Sequence, residues 1–99
     1  MNRDRAITVL RSLRRSLEAR GVAHIGIFGS VGRSEAGVAS DVDIVITPSN
    51  HRRMDLIDLG GVQTLLDEGF APTSVDVVVE PVGRAALRDA IRRDRVDVF

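Results

Sequence analysis

Residues 25–46 read IGIFGSVGRSEAGVASDVDIVI, and the rest of the fold is predicted to form around them. The apolar runs at the two ends are typical of buried strands. The glycines and polar residues between them predict a tight turn, a short helix and a loop. At the turn, Gly29 would let the backbone approach a phosphate closely, and Ser30 would add a hydroxyl donor. A Gly-Ser turn alone is more often only a turn, so its meaning depends on its neighbours.

Two carboxylates, Asp41 and Asp43, stand at the start of the second of these strands. Side chains alternate between the faces of a strand, so both acids are predicted to project to one side and Val42 and Ile44 to the other. Two neighbouring carboxylates repel each other and stay ionised together most easily when a cation lies between them. Hard oxygen ligands beside a phosphate-binding turn indicate Mg²⁺ and a nucleotide.

A third acid, Asp76, lies between valines in the later run SVDVVVE, residues 74–80. A carboxylate buried alone in an apolar strand would cost several kcal/mol. We therefore predict that Asp76 lies at the exposed end of its strand, beside the first two acids, where a cation would neutralise it. The alternative is an acid on the solvent face of an edge strand. The acid pair and the Gly-Ser turn upstream favour the shared site.

The hydrophobic pattern of the whole chain predicts alternating helices and strands. Helices are predicted over residues 3–20, 30–35, 52–68 and 83–93, and strands over residues 24–28, 41–47, 74–80 and 96–99. Ser49 or Asn50 would cap the third helix, which would bury Ile57, and the last helix would bury Ala86. The alternation predicts an α+β fold, a two-layer sandwich of sheet and helices, with residues 1–99 forming one domain.

Composition excludes several classes of protein and site. The absence of cysteine excludes disulfides, thiolate metal sites and cysteine nucleophiles. The formal net charge is zero, and there are three Phe but no Tyr or Trp, so we expect no direct nucleic-acid binding. No apolar run approaches the roughly 20 residues of a membrane span. Basic residues interrupt the apolar N-terminal segment where a signal peptide would be uniformly apolar, so we expect a cytoplasmic protein.

Other polar residues carry weaker signals. His24 precedes a predicted strand and His51 lies in a predicted loop, and neither has a partner at metal-ligand or catalytic-triad spacing. Both histidines are therefore expected to be structural, and Glu35 and Glu80 are expected to face solvent. The arginines of the first helix form either a solvated face or a docking face for a partner or an acidic ligand.

The motifs together resemble a known superfamily. G-S-x-G-R, followed by S-D-x-D and later by V-D-V-V, looks like the nucleotidyltransferase superfamily that includes DNA polymerase β. More closely, the chain resembles the minimal nucleotidyltransferases of the MntA-like antitoxin family over nearly its whole length, including the closing RDAIRRDRVDVF. The resemblance implies a palm fold in which helices flank a small mixed sheet. Many members have glycine after the motif arginine, where this chain has Ser34.

The resemblance also implies roles for individual residues. It assigns two Mg²⁺ ions to three carboxylates, those of Asp41, Asp43 and Asp76. Gly29 and Ser30 would hold the β- and γ-phosphates of ATP, and Asp76 would help to deprotonate the attacking hydroxyl. Arg33 would either contact a phosphate or pin the loop through a carboxylate, and both interpretations stay open.

The partner is also implied by the resemblance. In that family the enzyme transfers AMP from ATP to a tyrosine hydroxyl of a HEPN-domain toxin and silences it, so a HEPN-type toxin is the expected partner. One alternative is a non-catalytic antitoxin that neutralises by binding, although three intact acids argue against it. Another is a transferase for a small molecule such as an aminoglycoside, which the lack of residues for an accessory acceptor-binding domain disfavours.

Overall fold

The computed structural model describes residues 1–32, 41–49 and 54–99, which form a four-stranded sheet with helices on its faces. The strands are β1 (Val22–Phe28), β2 (Val42–Pro48), β3 (Val75–Val79) and β4 (Val96–Asp97). They lie in the order β3-β2-β1-β4. β1 is antiparallel to both β2 and β4, whereas β2 and β3 are parallel. This arrangement confirms the predicted α+β fold with a small mixed sheet.

The described helices are α1 (Arg3–Ser12), α2 (Arg14–Ala19), α3 (Gly29–Gly32), α4 (Leu56–Phe70) and α5 (Ala85–Asp94). The single helix predicted over residues 3–20 is divided at Leu13. The hydroxyl of Ser12 donates to the Val9 carbonyl at 2.6 Å, and the Leu13 N–H is shared between the carbonyls of Val9 and Leu10. A tightened last turn with a competing side-chain bond therefore ends α1. Gly21, with a φ of 97°, follows the C-cap of α2, as is common for a glycine after a helix end.

α4 begins later than the sequence pattern predicted. Its N-cap is Asp55 rather than Ser49 or Asn50. The Asp55 carboxylate accepts a bond from the Asp58 N–H at 2.7 Å, and the Asp58 carboxylate accepts one from the Asp55 N–H at 3.4 Å. This reciprocal capping box satisfies two donors, which a single serine or asparagine cap would not. Asn50, one of the two predicted caps, and Arg52, the predicted first helical residue, lie outside the described residues.

α4 continues without a break through its two central glycines. A Cβ on Gly61 would overlap the Arg20 guanidinium, at 2.6 Å from Cζ, and a Cβ on Gly69 would lie 2.9 Å from Leu13 Cδ1. These two glycines therefore let α4 pack closely against α1 and α2, whereas Gly60 has no atom within 4 Å of such a Cβ. α4 is 15 residues long, and no helix in the described ranges is long and apolar enough to cross a membrane.

The main core lies between one face of the sheet and helices α1, α2 and α4. Val42 and Ile44 of β2 are fully buried in it, so their predicted orientation is confirmed. The prediction for Ile57 was wrong, because this side chain is 78% exposed. α4 instead buries a stripe with four-residue spacing that consists of Asp58, Val62, Leu66 and Phe70.

α5 covers part of the opposite face of the sheet. Its Ile91 packs in a second buried cluster with Phe28 and Val45, and Leu87 is half-buried against that cluster. The prediction that Ala86 points inward was wrong: Ala86 is exposed, because Leu87 and Ile91, one turn apart, form the buried side of the helix. Since strand residues alternate between faces, the acids of β2 and β3 lie on the face that α5 only partly covers.

Candidate functional site

Asp43 lies at the centre of the candidate site because β2 is an inner strand. It is paired with Phe28 of β1 on one side and with Asp76 of β3 on the other. Paired residues of neighbouring parallel strands project to the same face about 4.8 Å apart, so the side chains of Asp43 and Asp76 are neighbours. Asp43 is half-buried and Asp76 is exposed. The structure thus brings these two acids together, as their positions in the sequence predicted.

Gly29 lies directly against the Asp43 carboxylate. Its φ of 68° is in the left-handed region that glycine adopts without strain. A Cβ at this position would overlap Asp43 Oδ2 and would lie 3.2 Å from Asp43 Cγ. Two independent constraints therefore require glycine here: the backbone conformation of the turn and the space that the carboxylate occupies.

Asp41 lies immediately before β2 and is exposed. The N–H of the next residue, Val42, donates to the Ser74 carbonyl at 3.0 Å, which ties the start of β2 to the start of β3. Within residues 1–32, 41–49 and 54–99, no three Asp, Glu or His side chains converge closely enough to hold a metal ion by themselves. The assignment of metals to Asp41, Asp43 and Asp76 therefore stays a prediction.

The other predicted site residues lie around this centre or outside the described residues. Ser30 is the second residue of α3 and is half-buried, next to Gly29. Arg33 and His51 lie outside the described residues, so neither role proposed for Arg33 is tested. His24 is exposed and lines a cavity of about 510 Å³ together with Arg95, Asp97 and Phe99.

The sequence pattern missed a network centred on Arg95, which lies over Gly26 of β1. A Cβ at Gly26 would be 3.0 Å from Arg95 Nε. Arg95 donates to Glu80, to Asp97 at 2.6 Å and to Thr47 at 3.4 Å. Glu80 also accepts a bond from Thr47 at 3.2 Å, so the prediction that it faces solvent was wrong.

This network has a clear electrostatic consequence. Burial lowers the pKa of the Arg95 guanidinium, but its hydrogen bonds and charge interactions with Glu80 and Asp97 outweigh burial and raise the pKa. Arg95 therefore stays charged. Its hydrogen-bond partners are Thr47 in β2, Asp97 in β4 and Glu80, which directly follows β3. Because Arg95 also lies over β1, its side chain connects all four strands.

A groove of about 410 Å³ opens on the same face of the sheet, between α5 and the residues that follow β3. It is lined by residues 80–82 and by Arg88, Ile91, Arg92 and Arg95. Arg88 and Arg92 are exposed and lie one turn apart on α5. The groove is thus a second feature of the sheet face that carries Asp43. Val45 lies between Asp43 and the groove.

Solved structures of other proteins share this fold. A chain described as a minimal nucleotidyltransferase is 25% identical, with a TM-score of 0.68, and the alignment covers 97% of this chain and 95% of that one. A chain from a toxin–antitoxin crystal structure with AMP-PNP is 20% identical, with a TM-score of 0.66, covering 100% of this chain and 73% of the other. A chain from the complex of a tri-AMPylated Shewanella oneidensis HEPN toxin with its MNT antitoxin is 17% identical, with a TM-score of 0.63, covering 93% and 70%.

No curated protein is significantly similar to this chain in sequence. The family comparison is more informative, because residues 10–98 match the nucleotidyltransferase domain. That range includes β1, β2 and β3, the turn at Gly29 and all three acids of the candidate site. The agreement of sequence family and fold confirms the resemblance inferred from the motifs. The chain therefore belongs to the nucleotidyltransferase domain family.

Proposed function

We propose that this chain is a Mg²⁺-dependent nucleotidyltransferase that transfers AMP from ATP to a tyrosine hydroxyl of a HEPN-type toxin, and so acts as its antitoxin. The observation that carries the proposal is the pairing of Asp43 with Asp76, with Gly29 held against the Asp43 carboxylate. The family supports the reaction class. The fold shared with the antitoxin complex of a tri-AMPylated HEPN toxin supports the choice of acceptor.

The acids of the site fit a hard divalent cation. Carboxylate oxygens are the donors that Mg²⁺ prefers, and the acids lie on a sheet face that substrate can reach. The residues that would hold two ions are Asp41, Asp43 and Asp76. When bound, Mg²⁺ neutralises phosphate charge and stabilises the attacking and leaving oxygens. Gly29 and Ser30 would bind the β- and γ-phosphates through backbone N–H groups of the turn and the Ser30 hydroxyl.

The proposed step is an in-line displacement at the α-phosphorus of ATP. The tyrosine oxygen forms a bond to that phosphorus while the bond to the bridging oxygen breaks, and pyrophosphate leaves. Of the paired acids Asp43 and Asp76, Asp76 is the more exposed, and it would accept the proton of the attacking hydroxyl. Gly29 keeps the space in which Asp43 is oriented. Most of the rate would come from positioning and from charge neutralisation.

One observation favours a second candidate, a non-catalytic antitoxin that neutralises its toxin by covering it. In the part of the chain that the structure describes, no three acids are gathered into a metal site. A binder needs no such site. An enzyme would complete it only when the triphosphate supplies further oxygens. The two candidates therefore differ in whether neutralisation depends on the acids.

The test is co-expression with the product of the neighbouring gene as the candidate toxin, followed by intact-mass spectrometry of that protein. We expect mass increases of whole AMP units with the wild type and none with Asp41→Ala/Asp43→Ala. The matched control, Asp4→Ala/Asp67→Ala, removes two exposed acids elsewhere on α1 and α4 and should modify the toxin normally. An unmodified toxin that is nevertheless held and silenced by both the wild type and the double variant would establish the binding-only candidate.

A further inference from the structure

We infer that the groove between α5 and the residues after β3 docks an acidic segment of the protein that this chain modifies. We call it the α5 groove. The inference rests on the proposed transfer to a protein and adds where that protein is held. The segment would carry carboxylates on either side of an apolar side chain, and would be separate from the tyrosine that is modified.

Charge is the first argument for an acidic occupant. Among the described residues, neither Arg88 nor Arg92 forms an ion pair, and Arg88 donates a long hydrogen bond of 3.5 Å to the Val82 carbonyl. Glu80 is the one acid among the residues that line the groove, and Arg95 already binds it. Two guanidinium groups beside the groove are thus not engaged by a carboxylate of the described residues. Guanidinium groups match carboxylates with two parallel hydrogen bonds.

The floor of the groove is the second argument. Ile91 is buried beneath it and Val82 is half-buried at its wall, so an apolar side chain could be sheltered between the two arginines. A volume of about 410 Å³ is in the range of ordinary ligand pockets and has room for a few side chains. None of the residues that line it is aromatic, so it offers no stacking platform for a single-stranded nucleic acid. The mixture of charge and apolar floor fits a peptide.

The position of the groove is the third argument. Glu80 extends the β3 ladder, because its N–H donates to the Ile46 carbonyl at 2.9 Å, and it lies four residues beyond Asp76. An even spacing along a strand puts both on the same face, about 13 Å apart at roughly 3.3 Å per residue. Val45, which is paired with Val78, lies on this face between the two places. A partner held in the α5 groove would therefore be bound about 13 Å from Asp76, on the same face, while sharing no side chain with the acids.

The experiment measures peptide binding by the full chain without nucleotide or Mg²⁺. The probe is a short fluorescein-labelled synthetic peptide with glutamates around a central leucine, and its matched control has glutamines instead. We expect the acidic peptide to bind, and Arg88→Glu/Arg92→Glu to weaken its binding by about tenfold or more. The control variant, Arg11→Glu/Arg15→Glu, makes the same change in charge at two arginines that are also four residues apart. Arg11 lies in the last turn of its helix, as Arg92 does. The control variant should change binding by less than about twofold.

Several results would overturn the inference. They are no binding of the acidic peptide, equal binding of the glutamine peptide, equal weakening by both arginine pairs, or tighter binding of an oligothymidylate than of the acidic peptide. Thermal unfolding of both variants checks that these exposed substitutions leave the fold intact.

The outcome is separable from that of the proposed function. Asp41→Ala/Asp43→Ala should bind the peptide like the wild type, even though it transfers nothing. If AMP transfer fails but peptide binding depends on Arg88 and Arg92, the docking groove stands and the proposed activity falls. If Arg88→Glu/Arg92→Glu modifies the HEPN-type partner with an unchanged KM, the groove is refuted and the proposed activity stands.

Discussion

Replacement of Gly29 by alanine would disturb the candidate site at its tightest contact. The φ of 68° places this residue in the left-handed region, which costs an L-residue about 1–2 kcal/mol. The added Cβ would also overlap Asp43 Oδ2 and lie 3.2 Å from Asp43 Cγ, where carbon atoms prefer a separation of about 3.5–4.0 Å. Either the carboxylate must rotate away or the turn must move away from β2.

The backbone strain and the displacement of the Asp43 carboxylate differ in magnitude and are measured by different assays. Backbone strain should lower the free energy of unfolding by about 1–2 kcal/mol, which for a domain of this size lowers Tm by roughly 5–15 °C. Displacement of Asp43 by about 1 Å should lower the rate of AMP transfer at saturating ATP by about a hundredfold. Far-UV circular dichroism is the appropriate probe of unfolding, because the chain has no Trp or Tyr. Transfer is measured well below the Tm of the variant.

A double-mutant cycle with Asp43→Ala, measured as free energies of unfolding, separates the overlap with the Asp43 carboxylate from the backbone strain at position 29. Without the Asp43 carboxylate, Gly29→Ala should cost only the backbone strain, so the two substitutions should show a coupling energy above about 0.5 kcal/mol. Gly60→Ala serves as the control for adding a methyl group, because nothing lies within 4 Å of its Cβ. Near-normal transfer by Gly29→Ala, together with the same loss of stability in both backgrounds, would refute the placement of the Asp43 carboxylate against the turn.

Three further changes test other parts of the structure. Gly60→Ala should stabilise the protein by about 1 kcal/mol in urea unfolding. Gly61→Ala should stabilise it by less, because the added Cβ displaces the Arg20 guanidinium. Equal gains in stability would contradict the contact between Gly61 and Arg20. Arg95→Ala should lower stability by about 1–3 kcal/mol, because it removes charged hydrogen bonds, and an unchanged urea midpoint would contradict the network. Mg²⁺ alone should change Tm little, since no three acids converge within the described residues, whereas Mg²⁺ with a non-hydrolysable ATP analogue at a hundred times its Kd should stabilise by about 2.7 kcal/mol. A large shift with Mg²⁺ alone would show that the metal site is preformed.

The part of the site that the sequence predicted is the part encoded by local pattern. Alternation in β2 fixes Val42 and Ile44 on the core side, which leaves Asp43 on the other side whatever the neighbouring strands are. The glycine at position 29 is likewise a local signal for a turn. The pairing of Asp43 with Asp76 is different, because it depends on which strand lies beside β2 and in which register. Spacing alone could not supply that pairing; the cost of burying Asp76 alone, together with the acid pair and the Gly-Ser turn upstream, pointed to it.

The misplaced helix elements have identifiable physical causes. Asp55 and Asp58 form a capping box that the sequence does contain, but Ser49 and Asn50, which come earlier in the chain, are also favourable N-cap residues. Ile57 lies one residue, about 100° of helix rotation, before the buried stripe that begins at Asp58, which is why it is exposed. The break between α1 and α2 at Leu13 has no comparable signal, since helical periodicity continues through it and a hydroxyl-to-carbonyl bond ends the first helix.

The Arg95 network marks the limit of what this sequence could predict. Gly26 stands alone in an apolar strand, and such a glycine indicates that something approaches the backbone closely. The pattern cannot say what approaches, because the side chain that fills the space comes from the far end of the chain. Through Thr47 and Glu80 this side chain connects β1 to β2 and to the end of β3. Those are the three strands whose register places Gly29, Asp43 and Asp76 together, so the C-terminal segment helps to hold the candidate site that it does not itself enter.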